Sequence, residues 1–204
     1  MDTEYTPEFY GDIADGCRRS AEVIVPIILD RFDVETALDV GCGQAWWGSQ
    51  LRRNGCRVTG IDGGYVTVPD ENLDSFITHD LSLPLPDVGR FDLVVCLEVA
   101  EHLAEDRADG FIAELCDAAP VVLFSAAIPH QTGSGHINCQ WQSWWAEKFH
   151  ENGFKADGSV RFEIWDDDRV EPWYRQNVLV CSRHGKHTGP FDVVHPVIHG
   201  WGRQ

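Results

Sequence analysis

A glycine-containing turn between two apolar runs constrains the fold of this chain more than any other feature. The first run, residues 37–40, leads into Gly41 and Gly43, and the second run, residues 57–61, ends at Asp62. A strand, a glycine turn, a helix and a second strand with an acid at its tip form a unit that binds a nucleoside. The glycines let the backbone approach the ligand, and the acid accepts hydrogen bonds from ribose hydroxyls. We therefore predict a nucleoside site at Gly41, Gly43 and Asp62.

The residues around the turn argue against two common nucleotide-binding motifs. A dinucleotide fingerprint has a third glycine at the position of Trp46, where the helix packs on the strand. A phosphate-binding loop would require a Gly-Lys-Ser or Gly-Lys-Thr sequence, which does not follow. The stretch from Asp39 to Gly43 instead resembles the first motif of class I, Rossmann-like S-adenosylmethionine (SAM) methyltransferases. In that family the acid lies near the amino group of the methionine part of SAM. The alternative interpretation of this stretch is a strand-to-helix turn that binds no ligand.

Composition favours a single domain that acts on a small molecule. The 204 residues are 43% apolar, which is enough for a core, and the net charge of −17 disfavours long nucleic acid as a partner. We find neither a signal peptide nor an apolar run of about 18 residues, so we expect no membrane association. The seven cysteines include no Cys-x-x-Cys pair, and we interpret them as reduced thiols. We expect a cytoplasmic monomer or homodimer.

Strand patterns that alternate with helix patterns predict an α/β fold. The arrangement resembles the seven-stranded, mostly parallel methyltransferase sheet, with helices on both faces. We predict strands at 36–40, 56–61, 75–79, 91–97, 121–126, 159–165 and 177–182, and helices at 8–31, 45–54, 105–118 and 142–152. The last two strands would form a hairpin at one edge.

We interpret residues 1–204 as one methyltransferase domain. It comprises an N-terminal helical lid (1–32), a core (33–183) and a C-terminal extension (184–204), which either packs on the body or is disordered. In the lid, Tyr5, Phe9 and Tyr10 could fold over a ligand.

Further cofactor contacts are expected at the carboxyl ends of the strands, where ligands bind in open α/β sheets. Asp62 is followed by Gly63, and the third strand is followed by Asp80 and Leu81. In the methyltransferase family, an acid at this third position receives the adenine amino group and its neighbour packs on the ring. The alternative for Asp80 is an acid that only begins a turn. Ala45 stands where many family members have another glycine.

The segment after the fourth strand contains Glu98, Glu101 and His102. This Glu-x-x-Glu-His pattern resembles ubiquinone-pathway O-methyltransferases and small-RNA terminal 2′-O-methyltransferases. In the RNA enzymes, both glutamates, the histidine and a later histidine hold a divalent metal. Here His136, in the sequence Gly-His-Ile-Asn-Cys-Gln-Trp, has a similar context.

Three interpretations of these four residues remain open. Glu98, Glu101, His102 and His136 suit Mn²⁺, Mg²⁺, Fe²⁺ or Zn²⁺ as a metal set. Without a metal, His102 or His136 would act as general base toward a substrate hydroxyl, with glutamates such as Glu101 orienting it. In a purely structural interpretation, Glu101 and His102 begin a helix with solvated side chains. We also count Glu98 among the cofactor contacts.

From residue 91 to residue 180 the chain is similar to bacterial SAM methyltransferases associated with glycan or secondary-metabolite pathways. Those proteins have a glutamate where this chain has Cys139. The resemblance implies methyl transfer from SAM to a small-molecule acceptor, and we favour a hydroxyl oxygen. Trp173, Tyr174 and Arg175 would line the acceptor pocket or pack in the core. The alternative functions are SAM binding without catalysis and NAD-dependent oxidoreduction.

Overall fold

A computed structural model describes the backbone of residues 7–201 and the side chains of residues 14–199. Its seven strands form one sheet in the order β3-β2-β1-β4-β5-β7-β6. Strand β7 is antiparallel to its neighbours β5 and β6, and the remaining pairs are parallel. The strands are β1 (Thr36–Val40), β2 (Arg57–Asp62), β3 (Ser75–Thr78), β4 (Leu93–Leu97), β5 (Val121–Ser125), β6 (Lys155–Asp157) and β7 (Leu179–Ser182). The predicted fold class is confirmed.

Helices cover both faces of this sheet. The described helices are α1 (Pro7–Leu29), α2 (Trp46–Arg53), α3 (Ala108–Ala118), α4 (Gln142–Glu151), α5 (Ser159–Ile164), α6 (Pro172–Asn177) and α7 (Pro196–Trp201). Short 3₁₀ turns occur at Ala100–His102 and Glu105–Arg107. One core lies between the sheet and α3 with α4, and the other lies between the sheet and α1, α2, α5 and α6. Because the central strands are buried on both faces, they are continuous apolar runs.

The predicted strand at 159–165 is wrong, because this segment forms α5. Val160 and Ile164 are fully buried, whereas Phe162 is 52% exposed. A strand would direct all three side chains to the same face, but a helix brings only residues four apart together. The edge strand is the shorter β6, which was not predicted, and it pairs antiparallel with β7. Helices α5 and α6 connect the two strands in place of a hairpin turn.

Strand β1 lies between β2 and β4, so the strand order reverses beside it. In open α/β sheets such a switch point creates a crevice at the carboxyl ends of the strands. The glycine turn after β1 and the acidic segment after β4 therefore face one another across this crevice.

The described parts of both terminal segments pack against the body of the domain. Helix α1 buries Ala21, Ile24 and Ile28, and a Cβ on Gly16 would lie 2.3 Å from Glu171 Oε1 at the start of α6. Arg161 donates to the carbonyl oxygens of residues 190 and 191, which holds the C-terminal segment to α5. The expected closure of Tyr5, Phe9 and Tyr10 over a ligand lies outside the described side chains. Among the described residues, no helix combines the length and apolar character needed to cross a membrane.

Candidate active site

A cavity of about 1080 Å³ opens at the carboxyl ends of β1 to β4. Of the predicted site residues, only Asp39 does not line it. The lining includes Gly41, Gly43, Asp62, Gly63, Asp80, Leu81, Glu98, Glu101, His102 and His136. Helices α1 and α6 contribute Cys17, Trp173 and Tyr174 to the walls. The strand ends thus bring together residues that lie far apart in the sequence.

The turn after β1 requires glycine at its first position. Gly41 has a φ of 69°, and a Cβ there would lie 2.4 Å from Val99 Cγ2. Gly43 also has a positive φ, of 52°. Ala45 has a φ of 58°, so it occupies the left-handed region that favours glycine. The position where many family members have glycine therefore keeps its unusual backbone conformation here.

Asp62 joins the two turns that follow β1 and β2 at the edge of the cavity. Its Oδ2 accepts a hydrogen bond from Gly43 N at 2.7 Å, and its Oδ1 accepts one from Gly63 N at 2.6 Å. Burial raises the pKa of this carboxyl, while the two backbone donors lower it. Each oxygen retains a second lone pair, which suits a contact with ribose hydroxyls.

Asp39 lies behind the turn and is not among the residues that line the cavity, so its contact with the cofactor stays a prediction. Its side chain is buried, and its Oδ2 accepts a hydrogen bond from Gly48 N in the first turn of α2 at 3.0 Å. This bond satisfies one of the amide groups left unpaired at a helix start. Burial raises the pKa of Asp39 to about 7. Its carboxyl orients α2 relative to the glycine turn.

Asp80 begins a turn and also lines the cavity. Its position is therefore compatible with both interpretations, a contact with adenine and a residue that begins a turn. Its Oδ1 accepts a hydrogen bond from Ser82 N at 2.9 Å, and its carbonyl oxygen accepts one from Leu83 N at 3.0 Å. The hydrogen bonds from Ser82 lower the pKa of this exposed carboxyl. An ionised acceptor therefore stands at the end of the cavity beside β3.

Glu101, His102 and His136 form a compact cluster on the opposite side. Each offers one ligand atom, and these atoms lie within 4.8 Å of one another. The loop that carries His136 is bound to the 3₁₀ turn, because Ile137 N and Asn138 N both donate to Glu101 O at 2.9 Å. His102 Nδ1 also lies 3.2 Å from the carbonyl oxygen of residue 135. The backbone thus fixes the two histidines near each other before any ligand binds.

The carboxyl group of Glu101 is fully buried. Neither of its oxygens has a hydrogen-bond partner among the described residues, and His136 Nε2 lies 4.0 Å from Oε1. Burial, together with the neighbouring Glu98, raises the pKa of Glu101 well above its usual value. A solvated Glu101 at a helix start is therefore wrong. A buried carboxyl with unsatisfied oxygens suits a cationic partner, either an imidazolium or a metal ion.

His136 packs closely against the backbone of its own loop. A Cβ on Gly133 would lie 2.2 Å from His136 Nε2, so only glycine leaves room for the ring in this position. Cys139 Sγ lies 3.7 Å from His136 Nδ1. Burial lowers the pKa of His136, which favours the neutral imidazole needed for a base or a metal ligand.

Glu98 lines the same cavity, but the compact ligand cluster does not include it. It has a φ of 54°, and Asn177 Nδ2 donates to its two oxygens at 3.1 and 3.3 Å. Gln131 Nε2 donates to Oε2 at 3.2 Å. Neither amide residue was predicted for the site, although Asn177 follows Trp173 and Tyr174 closely in the sequence. Arg175, for which lining the pocket and packing in the core were both open, donates to the carbonyl oxygen of residue 165 and to Asp168.

Comparison with known proteins agrees with this geometry. Residues 38–118 match the family model described as a methyltransferase domain. Over 95 residues, 41% of this chain, it is 34% identical to the chloroplastic magnesium protoporphyrin IX methyltransferase of Arabidopsis thaliana. Over 104 residues, 46% of the chain, it is 35% identical to the ubiquinone biosynthesis O-methyltransferase of Pseudoalteromonas translucida. The matched segments span only 30% and 44% of those relatives.

The fold match extends further than the sequence match. The structure of magnesium protoporphyrin IX methyltransferase from Synechocystis PCC 6803 with bound SAM gives a TM-score of 0.63 at 20% identity. The superposition covers 89% of this chain and 86% of that one. The chain thus has the Rossmann-like fold of class I methyltransferases, and residues 38–118 match a methyltransferase-domain family.

Proposed function

We propose that this protein is a SAM-dependent methyltransferase whose acceptor is a hydroxyl oxygen of a small molecule. The observation that carries the proposal is a single cavity with two chemically different halves. The half beside β1 to β3 contains the glycine turn and Asp62, which suit a nucleoside. The other half contains the cluster of Glu101, His102 and His136, which suits removal of a hydroxyl proton. The similarity to a ubiquinone biosynthesis O-methyltransferase supports an oxygen acceptor.

The cofactor would lie with its adenosine along the carboxyl ends of β1 to β3. Asp62 would accept hydrogen bonds from the ribose hydroxyls, and Asp80 and Leu81 would contact adenine. Gly41 and Gly43 would let the methionine part approach the backbone. The methyl carbon would then point toward the end of β4. Holding donor and acceptor in this alignment contributes on the order of 7 kcal/mol to lowering the barrier in favourable cases.

His136 is our candidate for the general base. Because burial lowers its pKa, it is neutral at neutral pH and can accept a proton. As the acceptor oxygen bonds to the methyl carbon, the carbon–sulfur bond breaks and its electron pair remains on sulfur. The hydroxyl proton passes to Nε2, and the resulting imidazolium lies 4.0 Å from the Glu101 carboxyl. That carboxyl would stabilise the positive charge.

A divalent metal is the alternative way to activate the hydroxyl. The unsatisfied oxygens of Glu101 and the two imidazoles of His102 and His136 form a three-ligand set that fits Mn²⁺, Fe²⁺, Zn²⁺ or Mg²⁺. When bound, such an ion would lower the pKa of a coordinated hydroxyl. In either mechanism, these three residues handle the acceptor oxygen.

Activity after metal removal distinguishes the two mechanisms. The protein is dialysed against EDTA, metal loss is verified, and methyl transfer is assayed before and after addition of Mn²⁺. Activity lost in EDTA and restored by Mn²⁺ supports the metal set, whereas unchanged activity eliminates it. The double variant His102→Ala/His136→Ala tests catalysis itself. If the cellular role of the protein survived in that variant, only SAM binding would matter, and the protein would bind SAM without catalysing transfer.

Calorimetric titration with SAM and with NAD tests the cofactor assignment. We expect saturable binding of SAM and none of NAD, since Trp46 stands where a dinucleotide site has glycine. Binding of NAD without SAM would contradict the proposed function and would favour an oxidoreductase.

A further inference from the structure

The ionisable side chains that line the cavity are mainly acidic. Among the described lining residues there are four carboxyls and neither lysine nor arginine, the carboxyls being Asp62, Asp80, Glu98 and Glu101. Histidines provide the only basic side chains there. An acceptor that carries phosphate or carboxylate would meet negative charge without a compensating cation. The cavity therefore favours a neutral or positively charged acceptor.

The hydrogen-bond donors that bind the Glu98 carboxyl lie on the acceptor side of the cavity. Its amide donors, Asn177 and Gln131, precede β7 and follow β5, whereas the nucleoside-binding residues belong to the opposite half of the sheet. The backbone of Glu98 is fixed as well, because its N–H donates to Ser125 Oγ and to the carbonyl oxygen of the same residue. This carboxyl is thus fixed at the end of β4, where it lines the cavity.

A network of buried amides keeps that orientation rigid. Gln131 Oε1 accepts hydrogen bonds from Gln176 Nε2 and Asn177 Nδ2, both at 3.0 Å. Gln176 Oε1 accepts a hydrogen bond from His195 N at 2.9 Å, which links the network to the C-terminal segment. Gln176 and Asn177 are almost fully buried. The amides satisfy part of the Glu98 carboxyl but bring no positive charge to it.

Aromatic side chains of α6, the helix that ends at Asn177, also line the cavity. Trp173 and Tyr174 line it from α6, and Tyr174 packs edge-on against Trp47 with ring centroids 5.1 Å apart. Aromatic faces stabilise a cation that approaches them. We propose that Glu98 recognises an ammonium group on the acceptor, so that the enzyme methylates hydroxyl compounds that carry an amine. This inference rests on the proposed function, since it requires the cofactor to fill the other half.

Three small probes of similar size test the inference without knowledge of the natural acceptor. EDTA-treated protein saturated with S-adenosylhomocysteine is titrated with benzylammonium, benzyl alcohol and benzoate. We expect benzylammonium to bind at least ~10-fold more tightly than benzyl alcohol, and benzoate most weakly. In Glu98→Gln the advantage of benzylammonium should vanish, while the variant still binds S-adenosylhomocysteine saturably. The control Glu151→Gln, an equal charge change at an exposed helix end, should keep the advantage.

Several results would overturn the inference. They are benzoate binding as tightly as benzylammonium, no saturable binding of benzylammonium, or an unchanged preference in Glu98→Gln. A parallel loss of S-adenosylhomocysteine affinity in Glu98→Gln would assign Glu98 to the ammonium of the cofactor instead. Failure of the wild-type protein to bind S-adenosylhomocysteine would contradict the proposed function itself, and the inference with it.

Discussion

The chemistry proposed for the site depends most on one imidazole and the groups that surround it. His136 is held between the backbone of its loop and the buried carboxyl of Glu101. The sequence placed both residues in one set from their spacing and context. It could not reveal that the Glu101 carboxyl has no hydrogen-bond donor, because burial and orientation arise only when the loop folds over the 3₁₀ turn.

Replacing His136 by glutamine should lower kcat by roughly 10²–10⁴-fold, as expected for loss of a general base. The wild-type kcat/KM should fall as pH decreases through a pKa below the ordinary 6.5, because only the neutral imidazole accepts a proton. Assays across pH with both proteins, together with titration of S-adenosylhomocysteine, check this expectation. A variant with wild-type kcat would show that another group acts as the base. So would a wild-type kcat/KM that already falls at a pH above 6.5.

Gly133→Ala offers a separate test of the imidazole position. An added Cβ would overlap the His136 ring, so we expect a marked loss of kcat with little change in thermal stability or cofactor affinity. Gly110→Ala on α3 is the control, because its Cβ would meet Arg107 at 3.1 Å on a helix outside the cavity. If both variants kept full activity, the ring position would be unimportant for transfer.

At the level of elements, every strand was predictable except β6, and the segment predicted in its place forms α5. Continuous apolar runs followed by glycine or acid identified β1, β2 and β4 to within two residues. Helix α5 was misread as a strand because a six-residue segment is too short to show a helical period clearly. Asp39 was placed in the cavity by its motif, whereas its actual direction depends on where α2 packs against β1.

Gly41→Ala should destabilise the β1 turn strongly. The new Cβ would lie 2.4 Å from Val99 Cγ2 at a backbone conformation that disfavours alanine, and we expect a loss of about 2 kcal/mol or more. Adding Val99→Ala should recover the steric part of this loss but not the backbone part. Urea denaturation of the single and double variants measures the coupling. Additive losses would show that the contact with Val99 does not limit the turn.

At the scale of the whole molecule, buried acids link stability to pH. Burial raises the pKa of Asp39 to about 7 from an ordinary 3.8, so the folded protein binds its proton more tightly than the unfolded chain does. That contribution to stability is fully present below the unfolded pKa. It is lost as pH rises through the folded pKa.

Asp39→Asn should remove this dependence and still accept the hydrogen bond from Gly48. Between about pH 4.5 and pH 8 we expect the wild-type protein to lose more stability than the variant, by at most about 4 kcal/mol. Chemical denaturation at both pH values measures the difference. Equal losses in the two proteins would mean that Asp39 does not titrate in this window.

A crystal structure with S-adenosylhomocysteine would test whether one cavity aligns SAM with the acceptor cluster. We expect the ribose hydroxyls on Asp62, the adenine beside Asp80 and Leu81, and the sulfur facing Glu101 and His136. Density for the ligand outside this cavity, or with its sulfur directed away from that cluster, would rule out the proposed alignment.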